Sequence, residues 1–276
     1  IFSSFLIILF LLLVSMSYAV DIGVYYFPGW NSKSGYWNDL KGLPGSSSPG
    51  KPWPEREPLL GYYHGEDLVI AEKHIEWASQ HGIKFFAYDW YWNGIKPYLE
   101  QALNSYISLE DKKGVQFCIL WANHSIVPRS RKEYEDMIAY WIQNLLMQTS
   151  YYKIDSKPVV FIFSYSELDQ NAHKFGESID TLIKKANTMA INAGLHGIYF
   201  VAVTNSRPEV SLERKFLSQG FSAYTGWNYV AAQDQQKSAD YNSMVKTYID
   251  FYKAAMETPG ELPYLVTATP GWDSRP

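Results

Sequence analysis

Side chains suited to binding a polar ring-shaped ligand follow short apolar runs of this sequence. Asp89 lies among rings in the stretch FFAYDWYW, and Asn123 and His124 follow Trp121 in LWANH. Carboxylate, amide and imidazole groups hydrogen-bond hydroxyls, while aromatic rings offer flat apolar platforms. Asp89 is either a site carboxylate or an acceptor for backbone amides. The Asn123-His124 pair either holds a ligand hydroxyl or closes a turn.

Seven short runs rich in β-branched and aromatic residues, with few charges, must position these groups. Such runs are typical of parallel strands that are buried on both faces. Apolar residues at helical spacing recur between the runs, which indicates alternating strands and helices. The predicted strands are residues 21–27, 83–92, 115–122, 158–164, 197–204, 221–227 and 264–268.

This alternation predicts an α/β fold, a (β/α)8 barrel of the TIM type that is truncated before its last strand, because eight strands are needed and seven are counted. A doubly wound sheet is the competing fold. It would normally carry a glycine-rich phosphate turn after its first strand, and no G-x-G occurs in this sequence. We therefore expect residues 20–276 to form one barrel domain that is incomplete at its C-terminal end.

Barrel enzymes place their chemistry at the C-terminal ends of the strands. Rings and hydrogen-bonding groups recur at these ends from strand to strand, a combination that would stack the apolar faces of sugars and satisfy their hydroxyls. The alternative is that the rings are ordinary core. The residues predicted to bind substrate are Tyr26, Trp30, Asp89, Trp90, Tyr91, Trp121, Asn123, His124, Trp227, Trp272 and Asp273.

Composition narrows the class of partner. Aromatic residues make up 17% of the chain, with ten Trp and 22 Tyr, and the formal net charge is −4. A chain without a basic surplus does not collect phosphates, so nucleic acid is not expected as a partner. A neutral oligo- or polysaccharide fits this composition better.

An unbroken apolar run, FLIILFLLLV from Phe5 to Val14, is followed by small residues suited to cleavage after Ala19. This pattern predicts a secretory signal peptide over residues 1–19 and a secreted or lumenal protein. The alternative is a signal anchor, which would hold the protein at a membrane through residues 1–20. The single cysteine, Cys118, is expected to be a buried hydrophobe.

Six motifs in sequence order resemble the signatures of the WbsX-like proteins, a family related to glycoside hydrolase family 99, the endo-α-mannosidases and endomannanases. The motifs are YYFPGW (25–30), REPLLGYY (56–63), FFAYDWYW (85–92), LWANH (120–124), KPV (157–159) and PGWD (270–273). The resemblance covers nearly all of the chain after the leader. It implies a (β/α)8 barrel, a carbohydrate ligand, and neither a metal nor an organic cofactor.

The resemblance also implies where the catalytic groups lie. In family 99 two carboxylates in an Asn-Glu-Trp-x-Glu-Gly type segment near the last strand act as base toward the sugar's 2-hydroxyl and as general acid, with retention of configuration. No such segment occurs before Pro276, so the catalytic pair is expected beyond it. A glycoside hydrolase acting on mannose-containing or related glycans is the leading interpretation. A glycosyltransferase of polysaccharide biosynthesis and a carbohydrate-binding pseudoenzyme are the alternatives.

Overall fold

The computed structural model describes residues 20–124, 126–227, 241–258 and 260–268. Seven parallel strands form one sheet in the order β1-β2-β4-β6-β7-β8-β9, so neighbours in the sheet also follow one another along the chain. This confirms the predicted number and position of the strands. They are β1 (Ile22–Tyr26), β2 (Ile83–Trp92), β4 (Gln116–Trp121), β6 (Lys157–Ile162), β7 (Tyr199–Thr204), β8 (Ala223–Gly226) and β9 (Tyr264–Leu265).

Helices connect the parallel strands, as in repeated βα units. They are α1 (Tyr36–Lys41), α2 (Leu68–Gln80), α3 (Gln101–Ser108), α4 (Arg131–Trp141), α5 (Tyr165–Lys174), α6 (Ile179–Asn192), α7 (Val210–Ser218) and α8 (Tyr241–Glu257). One π-helical turn, Ile142–Leu146, continues α4, and a 3-10 turn, Pro54–Arg56, lies in the long loop before α2. None of the helices that the structure describes is long and apolar enough to cross a membrane.

Two short antiparallel strands were not predicted. β3 (Pro97–Tyr98) folds back on the end of β2, pairing with Tyr91 and Trp92. β5 (Lys153–Ile154) forms a hairpin with β6, and its turn residues Asp155 and Ser156 have φ of 50° and 64°. Positive φ at both central residues is the backbone of a type I′ turn. The β2–β3 hairpin lies just beyond Trp90, the last residue of β2 that pairs with β4.

The sheet curls so that its first strand faces later strands across an interior. The Tyr25 hydroxyl of β1 donates to the Gly226 carbonyl of β8 over 3.3 Å. The Tyr25 ring also meets Phe161 of β6 edge-on, with ring centroids 5.9 Å apart. In a flat sheet of this order β1 and β8 would be far apart, since strands lie about 4.8 Å from their neighbours. The contacts therefore require the curvature of a barrel wall.

In the described part of the chain, β1 pairs only with β2, and β9 only with β8. A space of about 640 Å³ lies between β1 and β9 and reaches the interior, lined by Val24 and Tyr25 on one side and Thr225 and Leu265 on the other. The described residues thus form a curled parallel sheet with helices, as in an open (β/α)8 barrel. That an eighth strand closes it stays a prediction.

Candidate functional site

Alternation along β2 sorts its residues between the interior and the helices. Phe85 and Ala87 line the interior space, so Asp89, two residues further along, points the same way. Trp90 points the other way, where its ring meets Trp141 of α4 at a centroid distance of 5.5 Å. Asp89 thus stands on the interior face of the sheet near the C-terminal end of its strand. This is the edge at which parallel barrels carry their chemistry.

The Asp89 carboxyl has no partner that would stabilise its charge. Its Oδ1 atom is buried and accepts no hydrogen bond from the described residues. Burial therefore raises the pKa of Asp89 from 3.8 to about 7. The pKa values of Tyr25 and Tyr91 are raised mainly by their own burial and further by the charge of Asp89. This effect of Asp89 on both phenols shows that they lie near the carboxyl.

Rings from five segments of the chain form an arc at this end of the sheet. Tyr25 lies 4.5 Å from Trp227, Trp227 lies 5.1 Å from Phe163, and Phe163 lies 4.6 Å from His124, between ring centroids. His124 then faces Tyr91 at 6.4 Å. Phe163 and Trp227 each follow directly on a parallel strand, β6 and β8. We call Tyr25, Tyr91, His124, Phe163 and Trp227 the ring arc.

Asn123 fixes the end of β4 to the end of β6. Its Nδ2 donates to the Ser164 carbonyl and its Oδ1 accepts from the Ser164 amide, both over 2.7 Å. The Ser164 side chain also accepts from the Glu167 amide and so caps α5. Asn123 is 1% exposed, and both its amide nitrogen and its amide oxygen bond the Ser164 backbone. It therefore closes a turn, the second of the two alternatives, and positions His124 and Phe163 beside it.

His124 is exposed at the rim and carries no charge near neutral pH. Partial burial lowers its pKa, and the nearby Glu167 carboxylate opposes this shift. Neutral imidazole offers one N–H donor and one acceptor nitrogen, a combination suited to hydroxyl groups. Among the described residues, no three His, Cys, Asp or Glu side chains are placed to hold a metal ion.

Comparison with known proteins identifies the family. The model of the family described as "Glycosyltransferase WbsX" matches residues 52–276. The chain belongs to the WbsX family. The resemblance found in its motifs is thereby confirmed. No curated protein matches the chain.

Three solved structures similar in fold to this WbsX protein are described as glycoside hydrolases or as glycoside hydrolase-like. Two are of the GH99 endo-α-mannosidase from Bacteroides thetaiotaomicron, one of them in complex with Bis-Tris propane, with TM-scores of 0.56 and 0.58 and 16% identity. They cover 90% of this chain and 84% and 83% of theirs. A third, described as a glycoside hydrolase-like protein, has a TM-score of 0.58 and 14% identity, covering 90% of this chain and 71% of its own. These similarities show a shared fold.

Three rings predicted to bind substrate lie instead on the outer face of the WbsX sheet. Trp90 and Trp121 are each 1% exposed, and both meet Trp141 of α4 edge-on. The Tyr26 hydroxyl hydrogen-bonds His74 Nδ1 of α2 over 3.0 Å. Successive side chains of a strand point to opposite faces, and each of these three residues is next to a position that faces the interior. Their side chains therefore point toward the helices. The structure therefore corrects the prediction: these rings are core.

Trp30 belongs to a separate group of rings in the loop after β1. It stacks on Trp37 of α1 with centroids 4.2 Å apart and meets Tyr36 edge-on. Its carbonyl accepts from the Gly65 amide over 2.7 Å, which joins this loop to the long segment before α2. Trp30 thus organises the loops above β1, and the structure does not bring it into the ring arc. Trp272 and Asp273 lie outside the described residues.

The structure adds residues that the sequence analysis did not select. Tyr25 and Phe163 complete the ring arc, and Glu167 contributes a carboxylate near His124. Of the predicted residues, Asp89, Tyr91, His124 and Trp227 are brought together. The arrangement combines apolar ring faces with a carboxyl and an imidazole at one end of the barrel. Such a site can stack a pyranose and bind its polar groups.

Proposed function

We propose that this WbsX protein is a carbohydrate-active enzyme, a glycoside hydrolase acting on mannose-containing or related glycans. The observation that carries the proposal is the ring arc, because two of its rings, Tyr25 and Tyr91, lie near Asp89, whose buried Oδ1 has no partner among the described residues. Flat ring faces suit the apolar faces of sugars, and a site that leaves a polar group unpaired is built for a ligand to pair it. The fold shared with GH99 endo-α-mannosidases favours hydrolysis and suggests mannosides as the first substrates to test.

The first test is binding. Tryptophan fluorescence of the full chain is titrated with α-mannan oligosaccharides, for the wild type and for Trp227→Ala. Removing a ring that stacks on a sugar should weaken binding by about 1–3 kcal/mol. The matched control is Trp77→Ala, which removes a half-buried ring of α2 on the outside of the sheet. Equal losses in both variants would contradict a site at the ring arc.

The second test separates the reactions. A hydrolase releases reducing ends from mannan oligosaccharides in water alone, and chromatography of the products detects this. A transferase, the activity that the family description names, instead needs an activated donor and releases a nucleotide from a nucleotide-sugar. Hydrolysis without donor supports the proposal, and donor-dependent elongation supports the second candidate. Trp227-dependent binding with neither reaction would indicate a carbohydrate-binding protein.

A further inference from the structure

Two members of the ring arc, Tyr25 and Tyr91, lie near the Asp89 carboxyl, and no cation of the described chain offsets the burial of this group. Burial alone accounts for the raised pKa of Asp89, and no lysine or arginine among the described residues opposes it. Its Oδ1 atom is buried and accepts no hydrogen bond from the described side chains and backbone. Partly buried carboxylates are normally paired, because an unpaired one is costly. A ligand that fits this site should therefore supply the group that pairs with the carboxyl.

The titratable groups of the ring arc, with Cys118 on β4 and Glu167 beside His124, are neutral or acidic. Burial raises the pKa values of Tyr25 on β1, Tyr91 on β2 and Cys118 on β4, so all three keep their protons at neutral pH. The lowered pKa of His124 leaves its imidazole neutral, and Glu167 behind it adds a second carboxylate. These groups thus contribute negative charge and no positive charge.

The ring arc adds a second attraction for the same kind of ligand. The faces of Tyr and Trp rings carry negative electrostatic potential and bind ammonium groups, most strongly where water is excluded. Tyr25 and Tyr91 both lie near the carboxyl, and the Tyr25 ring lies 4.5 Å from that of Trp227. A cation is attracted both by the charge of a carboxylate and by the negative potential of ring faces beside it. A neutral hydroxyl gains less from each of these attractions.

We infer that the sugar unit bound over Asp89 carries a protonated amine, as an amino sugar does. This inference rests on the proposed function, because it takes the ring arc to be the glycan site. An ammonium offers three N–H donors and a full charge to the carboxylate. A neutral sugar offers a single hydroxyl hydrogen, and burying the anion further under it would cost free energy. The amine therefore gives Asp89 its partner.

The experiment uses sugars that share one ring and differ at one position: mannosamine, N-acetylmannosamine and mannose. Calorimetric titration of the full chain should show mannosamine binding about tenfold to a hundredfold tighter than the other two at pH 7, as for a charge-assisted hydrogen bond. Affinity for mannosamine should rise between pH 5 and pH 7 as the carboxyl ionises. Tris, an amine without a sugar ring, should bind more weakly than mannosamine.

Two variants make the result specific. Asp89→Asn should abolish the preference for mannosamine over mannose, since it keeps the shape of the side chain and removes its charge. Asp111→Asn, on the surface beside Lys113, should keep the preference. Thermal melting of both variants confirms that they are folded.

The outcomes distinguish the inference from the proposed function. Trp227-dependent binding of mannan oligosaccharides without any gain from the amine overturns the inference alone. A preference that survives in Asp89→Asn also overturns it, as does Tris binding that equals mannosamine binding. If no sugar binds in a manner that depends on Trp227, the proposed function and the inference fail together.

Discussion

Replacing Asp89 by asparagine should make the protein more stable at neutral and alkaline pH. Asparagine keeps the size of the side chain and removes its charge. In the folded protein burial raises the pKa of Asp89 to about 7, whereas the same carboxyl in the unfolded chain ionises near 3.8. The folded state therefore keeps a proton that the unfolded state has already released, and above pH 7 it must hold a buried anion.

The sign and size of the effect follow from this difference. Below about pH 4 the carboxyl is protonated in both states and contributes nothing to the pH dependence. Between pH 4 and pH 7 the free energy of unfolding falls by up to about 1.4 kcal/mol per pH unit as pH rises. Above pH 7 the cost levels off at about 4 kcal/mol, and partial exposure of the side chain reduces it to about 2–4 kcal/mol.

Urea unfolding at pH 4, 6 and 8 measures this cost directly. Asp89→Asn should match the wild type at pH 4 and exceed its free energy of unfolding by about 2–4 kcal/mol at pH 8. Asp111→Asn is the control, since the pKa of that exposed carboxyl is lowered by its contacts with Lys113 and it should bring no such gain. A difference between Asp89→Asn and the wild type that does not change with pH would show that the carboxyl has a partner and would refute the reasoning.

Three further changes test the placement of other residues. Trp90→Ala should lower the free energy of unfolding in urea by about 3–5 kcal/mol, because it empties a core site. The protein that stays folded should bind glycan normally, and a selective loss of binding would show that this ring belongs to the site. Asn123→Ala should lower the free energy of unfolding by about 1–3 kcal/mol and weaken glycan binding, because two hydrogen bonds to the Ser164 backbone are lost. Unchanged affinity would mean that these bonds do not position the site. The precursor expressed in a secretory host should yield a mature chain that begins at Val20 by N-terminal sequencing, and a membrane-bound product that keeps the apolar leader would support the anchor.

The strands could be predicted from the sequence because burial on both faces leaves a strong local mark. Ile83–Trp92 is an apolar and aromatic run with few charges, and it forms β2 with the predicted bounds. The order of the strands followed from the alternation with helices. The hairpin strand β3 was missed, since two residues pairing with the end of β2 carry no periodic pattern of their own.

The face on which each residue lies could not be predicted in the same way. Continuous apolar runs do not show which residues point inward, and an error of one position exchanges the two faces of a strand. Tyr26 was selected where Tyr25 is the inward ring, and Trp90 was selected beside the inward Asp89. Period-two alternation from Asp89 would have excluded Trp90 and retained Tyr91.

The role of Asn123 depended on a partner far along the chain. Its amide bonds to Ser164, 41 residues later, and the sequence near Asn123 does not predict that contact. The same is true of Phe163, whose position directly after β6 is visible in the sequence but whose neighbours His124 and Trp227 come from other loops. Residues at the ends of strands could thus be found locally, but their division between ligand and scaffold required the fold.

The hydrogen bond from Tyr25 to Gly226 has a consequence for how the protein is made. The two residues are 201 positions apart, so Tyr25 leaves the ribosome well before Gly226 does. At about 5–20 residues per second, roughly 10–40 seconds pass before its partner strand is translated. During that time the inward face of β1 is left without the layer it packs against, and chaperones that bind apolar segments have access to it. Slow codons between these strands would lengthen this exposure. We therefore expect the yield of folded protein to fall when translation over this interval is slowed.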